Sequence, residues 1–418
     1  MRAIILCGGK GSRIAQISGN KPKALIDLDG QKTILDFQID CLIKNGITSL
    51  VLVTGIGNDQ IETHVLRYSK KIEITLVFDN EIFGTLHALR LVQEYINDET
   101  LLIYGDLLMD INLLEILSFR KKTNSILAVS VHPSDHVHDS DLVQLDDTNF
   151  QIVEVIRKGT DDIKECFLTI NGVFALSKKL RDYLGKFSGS DFSNEFIPSL
   201  IKSKEKVTAL RTHHFVKDVG TPERLMLARQ IIAQGKFGGF SFPRPAIFLD
   251  RDGTINSEKR NVTRPQDFNF INGTEKGIKI LNDKGYLVVV VTNQPIVAKG
   301  YIKEKDLKKV HNYMEFMLAQ KSAKVDLIEY CTHHPQRGFE GEVKELKIEC
   351  DCRKPANGMF LKVLEKTKIN LEESWMLGNT WRDEFFAKRS GLNFAYIGKN
   401  PGQYLSIYDF NVKVLGSN

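Results

Sequence analysis

At 418 residues the chain exceeds a single core of ordinary size, and two domains are expected. A hydrophobic share of 42% and a charged share of 26% suit a globular protein, and a formal charge of +5 spread over scattered lysines argues against nucleic acid and for small anionic substrates. Met1 to Gly9 is apolar only briefly and turns glycine-rich, unlike a signal peptide, and no apolar run approaches a membrane span, so a cytoplasmic protein without a membrane partner is expected.

Ala3 to Leu6 reads as a first strand, followed by the loop Cys7-Gly8-Gly9-Lys10-Gly11-Ser12-Arg13. Glycines let backbone N–H groups approach a phosphate, and Lys10 and Arg13 can neutralise its charge, although a tight strand-to-helix turn has the same composition. Lys21-Pro22-Lys23 adds a second basic group on a backbone stiffened by proline. Strands are predicted over Ser49 to Thr54, Ile72 to Phe78 and Ser125 to Val131. They alternate with helices near Ile34 to Asn45 and Thr85 to Tyr95, an α/β pattern. Leu101 to Asp106 is a further strand ending in Gly-Asp, and a last helix is capped by Thr221, opened by Pro222 and closed by Gly235.

Together these segments resemble the sugar-1-phosphate nucleotidylyltransferases, whose GGxGxR loop and PK pair match the first residues, with Glu81 to Leu89 standing for ExxGTxxA and Lys217 to Glu223 for DxGTPE. The resemblance implies a Rossmann-like nucleotidyltransferase fold in which Gly8, Gly9, Gly11 and Arg13 hold a nucleoside triphosphate. It implies that Lys23 contacts a phosphate, that Gly84 and Thr85 sit beside the base, and that Asp106 and Asp218 hold Mg²⁺. Arg157-Lys158-Gly159 and Thr169 to Val173 match the sugar-phosphate segments more loosely and imply contacts from Lys158 and Asn171; Arg157 stands where the family has an acid. Such chemistry accumulates negative charge on two polyanions at once, so cations must offset it.

Lys236 to Arg244 breaks every period and reads as a linker whose phenylalanines suggest packing against a domain, so the domains expected are 1–235 and 245–418, joined by 236–244. Ala246 to Leu249, bounded by Pro245, reads as a buried strand that runs into Asp250-Arg251-Asp252-Gly253-Thr254. Residues i and i+2 share a strand face, so Asp250 and Asp252 can meet one phosphoryl group and one Mg²⁺, one acid attacking phosphorus and the other moving protons. A strand followed by an Asp-Gly turn would look the same. Tyr286 to Gln294 is a second buried strand, ending in the hydroxyl of Thr292. Cys331-x-His333 and Cys350-x-Cys352 form a Cys₃His set of tetrahedral zinc type, which with every position filled would be structural, although incidental buried thiols would show the same residues. The six cysteines do not pair by spacing, which points to a reducing compartment.

From about Pro245 to Lys399 this half resembles the haloacid dehalogenase phosphatases, in the branch of histidinol phosphatase and D-glycero-D-manno-heptose 1,7-bisphosphate phosphatase. Motif I is Asp250 to Thr254, motif II ends at Thr292-Asn293-Gln294, motif III is Cys352-Arg353-Lys354-Pro355, and motif IV is Met376 to Asp383. The resemblance implies a doubly wound parallel sheet with a zinc-clasped loop, Asp250 as nucleophile, Asp252 as general acid and base, and Thr292 and Lys354 as catalytic partners. It places Asn293 and Arg353 on the substrate, Mg²⁺ on Asp250, Asp252 and position 379, and Zn²⁺ on Cys331, His333, Cys350 and Cys352. Two departures stand out: Asn379 replaces the family's aspartate, and Pro295 lacks an N–H that could face the substrate.

Paired, the resemblances imply a bifunctional enzyme that removes the C7 phosphate of heptose 1,7-bisphosphate and joins heptose 1-phosphate to GMP from GTP, releasing pyrophosphate, as in the GDP-D-glycero-α-D-manno-heptose route. The same activities on another sugar or base, or a nucleotidyltransferase with a weak regulatory phosphatase module, are alternatives the motifs share.

Overall fold

The computed structural model describes residues 1–9, 19, 21–81, 83–146, 150–160, 163–258, 261–398 and 403–416. The chain divides into two compact units, Met1–His132 with His138–Phe242, and Pro133–Val137 with Pro243–Asn418.

The strands of the first unit are β1 (Arg2–Leu6), β2 (Ser49–Thr54), β3 (Glu73–Phe78), β4 (Thr100–Tyr104), β5 (Leu107–Asp110), β6 (Leu127–Pro133), β7 (Leu142–Leu145), β8 (Ile152–Ile156), β9 (Leu168–Leu176), β10 (Val207–Arg211) and β11 (Phe215–Asp218). Nine form one sheet among the described residues, in the order β10-β6-β9-β4-β1-β2-β3 with β7 bridging β9 and β8, while β5 and β11 pair separately. β4, β1, β2 and β3 run parallel, and β9 lies antiparallel on β4. Ala3, Ile5, Leu50 and Leu52 enter one core face while Ile4 and Val51 are buried on the other, which is why these strands read as unbroken apolar runs. The parallel strands bring the turn after β1 and the Gly105-Asp106 turn after β4 to one edge. Gly105 donates its amide to the Leu6 carbonyl at 3.0 Å, and a Cβ there would lie 2.5 Å from that oxygen.

Helices fall close to the prediction. Ile34–Lys44 opens with a Thr33/Asp36 capping box, and Pro222–Ala233 opens under the Thr221 hydroxyl, which accepts from the Arg224 amide at 3.3 Å. The helix predicted to reach Tyr95 stops at Leu91 and continues as a tighter turn over Gln93–Tyr95. The stretch read as a linker packs on the first unit. One Asp110 carboxylate oxygen accepts from the amides of Phe240, Ser241 and Phe242 at 3.0, 2.8 and 3.4 Å, and Phe237 meets Phe37 and Phe215 edge-on.

The second unit carries β12 (Arg244–Leu249), β13 (Leu287–Asn293), β14 (Leu327–Cys331), β15 (Ile369–Gly378) and β16 (Asn393–Tyr396), an all-parallel sheet in the order β14-β13-β12-β15-β16. Ile247 and Leu249 enter one core cluster and Ala246 and Phe248 the other, so β12 is buried on both faces. Pro245, expected to bound this strand, lies inside it, where the pairing with β15 shifts between Pro245 and Ile247 and the missing N–H is tolerated. The strand order reverses at β12, and the crevice outside the strand ends there is where such sheets bind ligands. No helix among the described residues is long and apolar enough to cross a membrane.

Candidate active sites

β12 stops at Leu249, so Asp250 opens the following loop rather than sharing a strand face with Asp252; its amide still donates to the Leu377 carbonyl at 3.0 Å. Both acids line one cleft of about 490 Å³, together with Thr292, Asn293, Pro295, Arg353, Lys354, Asn379 and Asp383. Lys354 Nζ lies 2.8 Å from Asp250 Oδ1 and 2.6 Å from Asp383 Oδ1. Burial works against the ammonium, but the two carboxylates outweigh it and hold its pKa above the ordinary value. Burial likewise pushes the Asp250 carboxyl up, with Lys354 pulling the other way. The second oxygen of Asp383 accepts from the Thr380 amide and hydroxyl at 3.0 and 2.7 Å, so the start of the helix Trp381–Ser390 fixes this carboxylate.

Asp252 is gripped from three sides. Arg251 Nε and Nη2 donate to Oδ1 at 3.1 and 2.9 Å, Asn256 Nδ2 donates to Oδ1 at 3.0 Å, and Gln294 Nε2 donates to Oδ2 at 2.7 Å. Arg251 is wholly buried with Nη1 3.2 Å from His311 Nε2, and burial beside that cation holds the histidine pKa well below its ordinary value. Gln294 also donates to Thr292 Oγ1 at 3.0 Å. Asn293, expected on the substrate, uses both ends of its amide on the Lys354 backbone, at 3.0 and 2.9 Å, and so positions the lysine. Arg353 Nη1 donates to the His333 carbonyl at 3.2 Å. Arg382, which the motif reading did not single out, lines the same cleft; burial and the Arg382 charge both act to lower the Arg353 pKa.

Asn379 donates through Nδ2 to Glu258 Oε2 at 3.0 Å, while its Oδ1 is buried without a hydrogen-bond partner. With Asp250 and Asp252 this makes an all-oxygen donor set that fits a hard divalent cation.

Cys331, His333, Cys350 and Cys352 come together with their ligand atoms all within 4.8 Å of one another. Cys331 Sγ lies 3.6 Å from Cys350 Sγ and 3.2 Å from Cys352 Sγ, and His333 Nδ1 lies 3.3 Å from Cys352 Sγ. Metal–sulfur bonds of about 2.3 Å in a tetrahedron set neighbouring sulfurs just under 4 Å apart, so this group could hold such an ion. Cys352 passes directly into Arg353 and Lys354, which ties the cluster to the cleft.

In the first unit a cleft of about 420 Å³ is lined by Gly8, Gly9, Lys23, Gly84, Thr85, Asp106, Lys158 and Asp218, among others. Lys23 Nζ lies 2.7 Å from Asp106 Oδ2. Asp218 accepts from the Gly220 amide and from Arg224 Nη1, both at 2.6 Å. A Cβ on Gly220 would stand 2.7 Å from Asp218 Oδ1, 2.9 Å from Lys23 Nζ and 3.5 Å from Asp106 Oδ2, so the absence of a side chain lets the three converge. Burial and the Asp106 charge push the Asp218 carboxyl up, a strain that a divalent cation between the two would relieve. Gly84, at φ +100°, has the Ser190 carbonyl 2.5 Å from any Cβ, and Thr85 Oγ1 accepts from the Phe192 amide at 2.9 Å. Asn171 is not brought to the cleft: its Nδ2 donates to Ser130 Oγ at 2.9 Å and its Oδ1 accepts from the Val173 amide, so the strand's inner face consumes the side chain. Gly11 and Arg13 lie outside the described residues.

Two phosphate-handling clefts thus sit on two α/β units, the architecture of a nucleotidyltransferase joined to a phosphatase. Residues 2–235 match the family described as Nucleotidyl transferase, and residues 246–395 the family described as Polynucleotide kinase 3 phosphatase. The D-glycero-beta-D-manno-heptose-1,7-bisphosphate 7-phosphatase of Haemophilus ducreyi is 39% identical over 150 residues, 36% of this chain and 80% of that protein. The protein of that name from Escherichia coli O6:H1 is 41% identical over 139 residues, 33% of this chain and 71% of its own. Among solved structures, that of HddC from Yersinia pseudotuberculosis is 23% identical, covering 55% of this chain and 99% of that one at a TM-score of 0.47. The chain belongs to the nucleotidyl transferase family, and its second unit belongs with these phosphatases.

Proposed function

We propose that the chain performs two consecutive steps in making a nucleotide-activated heptose. The second unit removes the C7 phosphate of D-glycero-D-manno-heptose 1,7-bisphosphate, and the first joins the resulting heptose 1-phosphate to a nucleoside monophosphate, with GTP the expected donor. The observation that carries this reading is the meeting of Asp250, Lys354 and Asp383 in a cleft of a chain akin to the heptose bisphosphate phosphatases.

Asp250 attacks the C7 phosphorus through its free carboxylate oxygen while Lys354 offsets the charge on the phosphoryl oxygens. The bond from phosphorus to O7 breaks, and Asp252, oriented by Arg251, Asn256 and Gln294, protonates that oxygen. Asp252 then takes a proton from the water that hydrolyses the aspartyl phosphate. Arg353 and Arg382 face the retained phosphate at C1. In the first unit the C1 phosphate oxygen attacks the α-phosphorus and pyrophosphate leaves, with Lys23 and Lys158 beside the polyanions. Bound magnesium would supply further charge neutralisation, held by Asp250, Asp252 and Asn379 in one cleft and by Asp106 and Asp218 in the other. The Cys₃His group would hold a structural zinc. The boundaries 1–235, 236–244 and 245–418 stand as the proposed division of labour.

The test is a substrate panel: sugar bisphosphates, with the heptose compound in both anomers because the relatives are named for the β form, against GTP, ATP, CTP and UTP. Phosphate release selective for a sugar 1,7-bisphosphate and transfer from one preferred nucleotide support the reading. Equal release from every phosphate ester refutes it.

A further inference from the structure

We propose that Glu258 is a positioning residue for the cation in the phosphatase cleft, and that it makes up there for the charge Asn379 lacks. This rests on the reading above that the cleft binds magnesium. A neutral amide ligates a cation only through its oxygen, and the two ends of an asparagine side chain are nearly the same shape, so hydrogen bonding alone decides which end faces the ion. Here the NH₂ end is committed: Nδ2 donates to Glu258 Oε2 at 3.0 Å. Turning the amide over would press Oδ1 against a carboxylate oxygen. The oxygen is thereby left as the available end, and among the described residues lining this cleft it is a buried acceptor without a hydrogen-bond partner.

The loop of the two catalytic acids is shaped for this pairing. Gly253 sits at φ +85°, and a Cβ there would lie 2.0 Å from Asn379 Nδ2 and 3.1 Å from Glu258 Oε2. A residue with a side chain would therefore drive the amide and the carboxylate away from the position they share. Glu258 also lines the cleft itself, and among the described residues its hydrogen-bond partner is the neutral Asn379 rather than a cation, which leaves its negative charge one hydrogen bond from the proposed ligand.

The experiment counts free Mn²⁺ by electron paramagnetic resonance, using full-length protein with Asp218→Ala to silence the first cleft. Glu258→Gln and Glu258→Ala should each weaken Mn²⁺ binding at least fivefold, without shifting the melting transition of this exposed position. Adding Asn379→Asp to Glu258→Gln should restore affinity to within twofold of the parent, and should gain more there than in the presence of Glu258, whose carboxylate would repel the new one. Both Glu258 variants binding within twofold of the parent overturns the proposal. A parent that binds no Mn²⁺, or whose binding survives Asp250→Ala, instead removes the metal reading on which the proposal stands.

Discussion

Lys354 reaches Asp250 with its ammonium 2.8 Å from Oδ1, across 104 residues of chain, and does so while almost wholly buried. Two ionised groups taken out of water need one another, and here Asp383 completes the arrangement from a helix start. The pairing leaves the other Asp250 oxygen for the substrate and places a cation beside the phosphoryl group that oxygen would attack.

Asp250→Asn should therefore abolish phosphate release and leave nucleotidyl transfer to an authentic sugar 1-phosphate unchanged. Covalent catalysis demands a loss of at least about 3 kcal/mol in the barrier, roughly a hundredfold in rate. Residual phosphatase activity well above a percent of the parent would count against it.

Arg382 should distinguish bisphosphate from monophosphate. With Arg353 it lines the cleft where the retained phosphate would lie, and a charge-assisted hydrogen bond is worth about 1.5–3 kcal/mol. Arg382→Ala should raise KM for the bisphosphate by roughly tenfold and leave kcat and the hydrolysis of a simple phosphomonoester unaltered. An equal effect on both substrates would show that Arg382 only supports the fold.

Protein purified without chelator should carry about one zinc per chain by elemental analysis. Cys350→Ser should lower the melting temperature of the second unit, with transferase activity retained, because a structural zinc contributes directly to folding. Zinc-free protein with an unchanged melt would sink the assignment of that site.

Much of this was legible because each motif is contiguous: an apolar run predicts a strand, and the acid or glycine after it predicts a strand end at one edge of the sheet. That logic placed Asp106 and Asp250 just past the ends of β4 and β12, and the hydroxyl of Thr292 falls within the last two residues of β13. It failed where a side chain is used by a partner far away in sequence. Asn171 was expected on the sugar phosphate but turns to Ser130, 41 residues earlier. Asn293 lines the cleft, and both ends of its amide also hold the Lys354 backbone, a contact no motif announces. Arg251, for which the motif indicates no role, lies fully buried between Asp252 and His311. The meeting of Glu258 with Asn379 joins residues 121 apart and has no sequence signature.

The most direct measurement is a one-pot reaction of the full chain with Mg²⁺, GTP and heptose 1,7-bisphosphate, following inorganic phosphate, pyrophosphate and product mass over time. A nucleotidyltransferase needs the anomeric phosphate intact, so a phosphatase on the same chain is useful only if it spares that group and acts first. The account predicts inorganic phosphate at once, then pyrophosphate and the nucleotide sugar, with Asp250→Asn blocking both and Asp218→Ala blocking only the second. Rapid hydrolysis of heptose 1-phosphate, or transfer onto the intact bisphosphate at an equal rate, would contradict it.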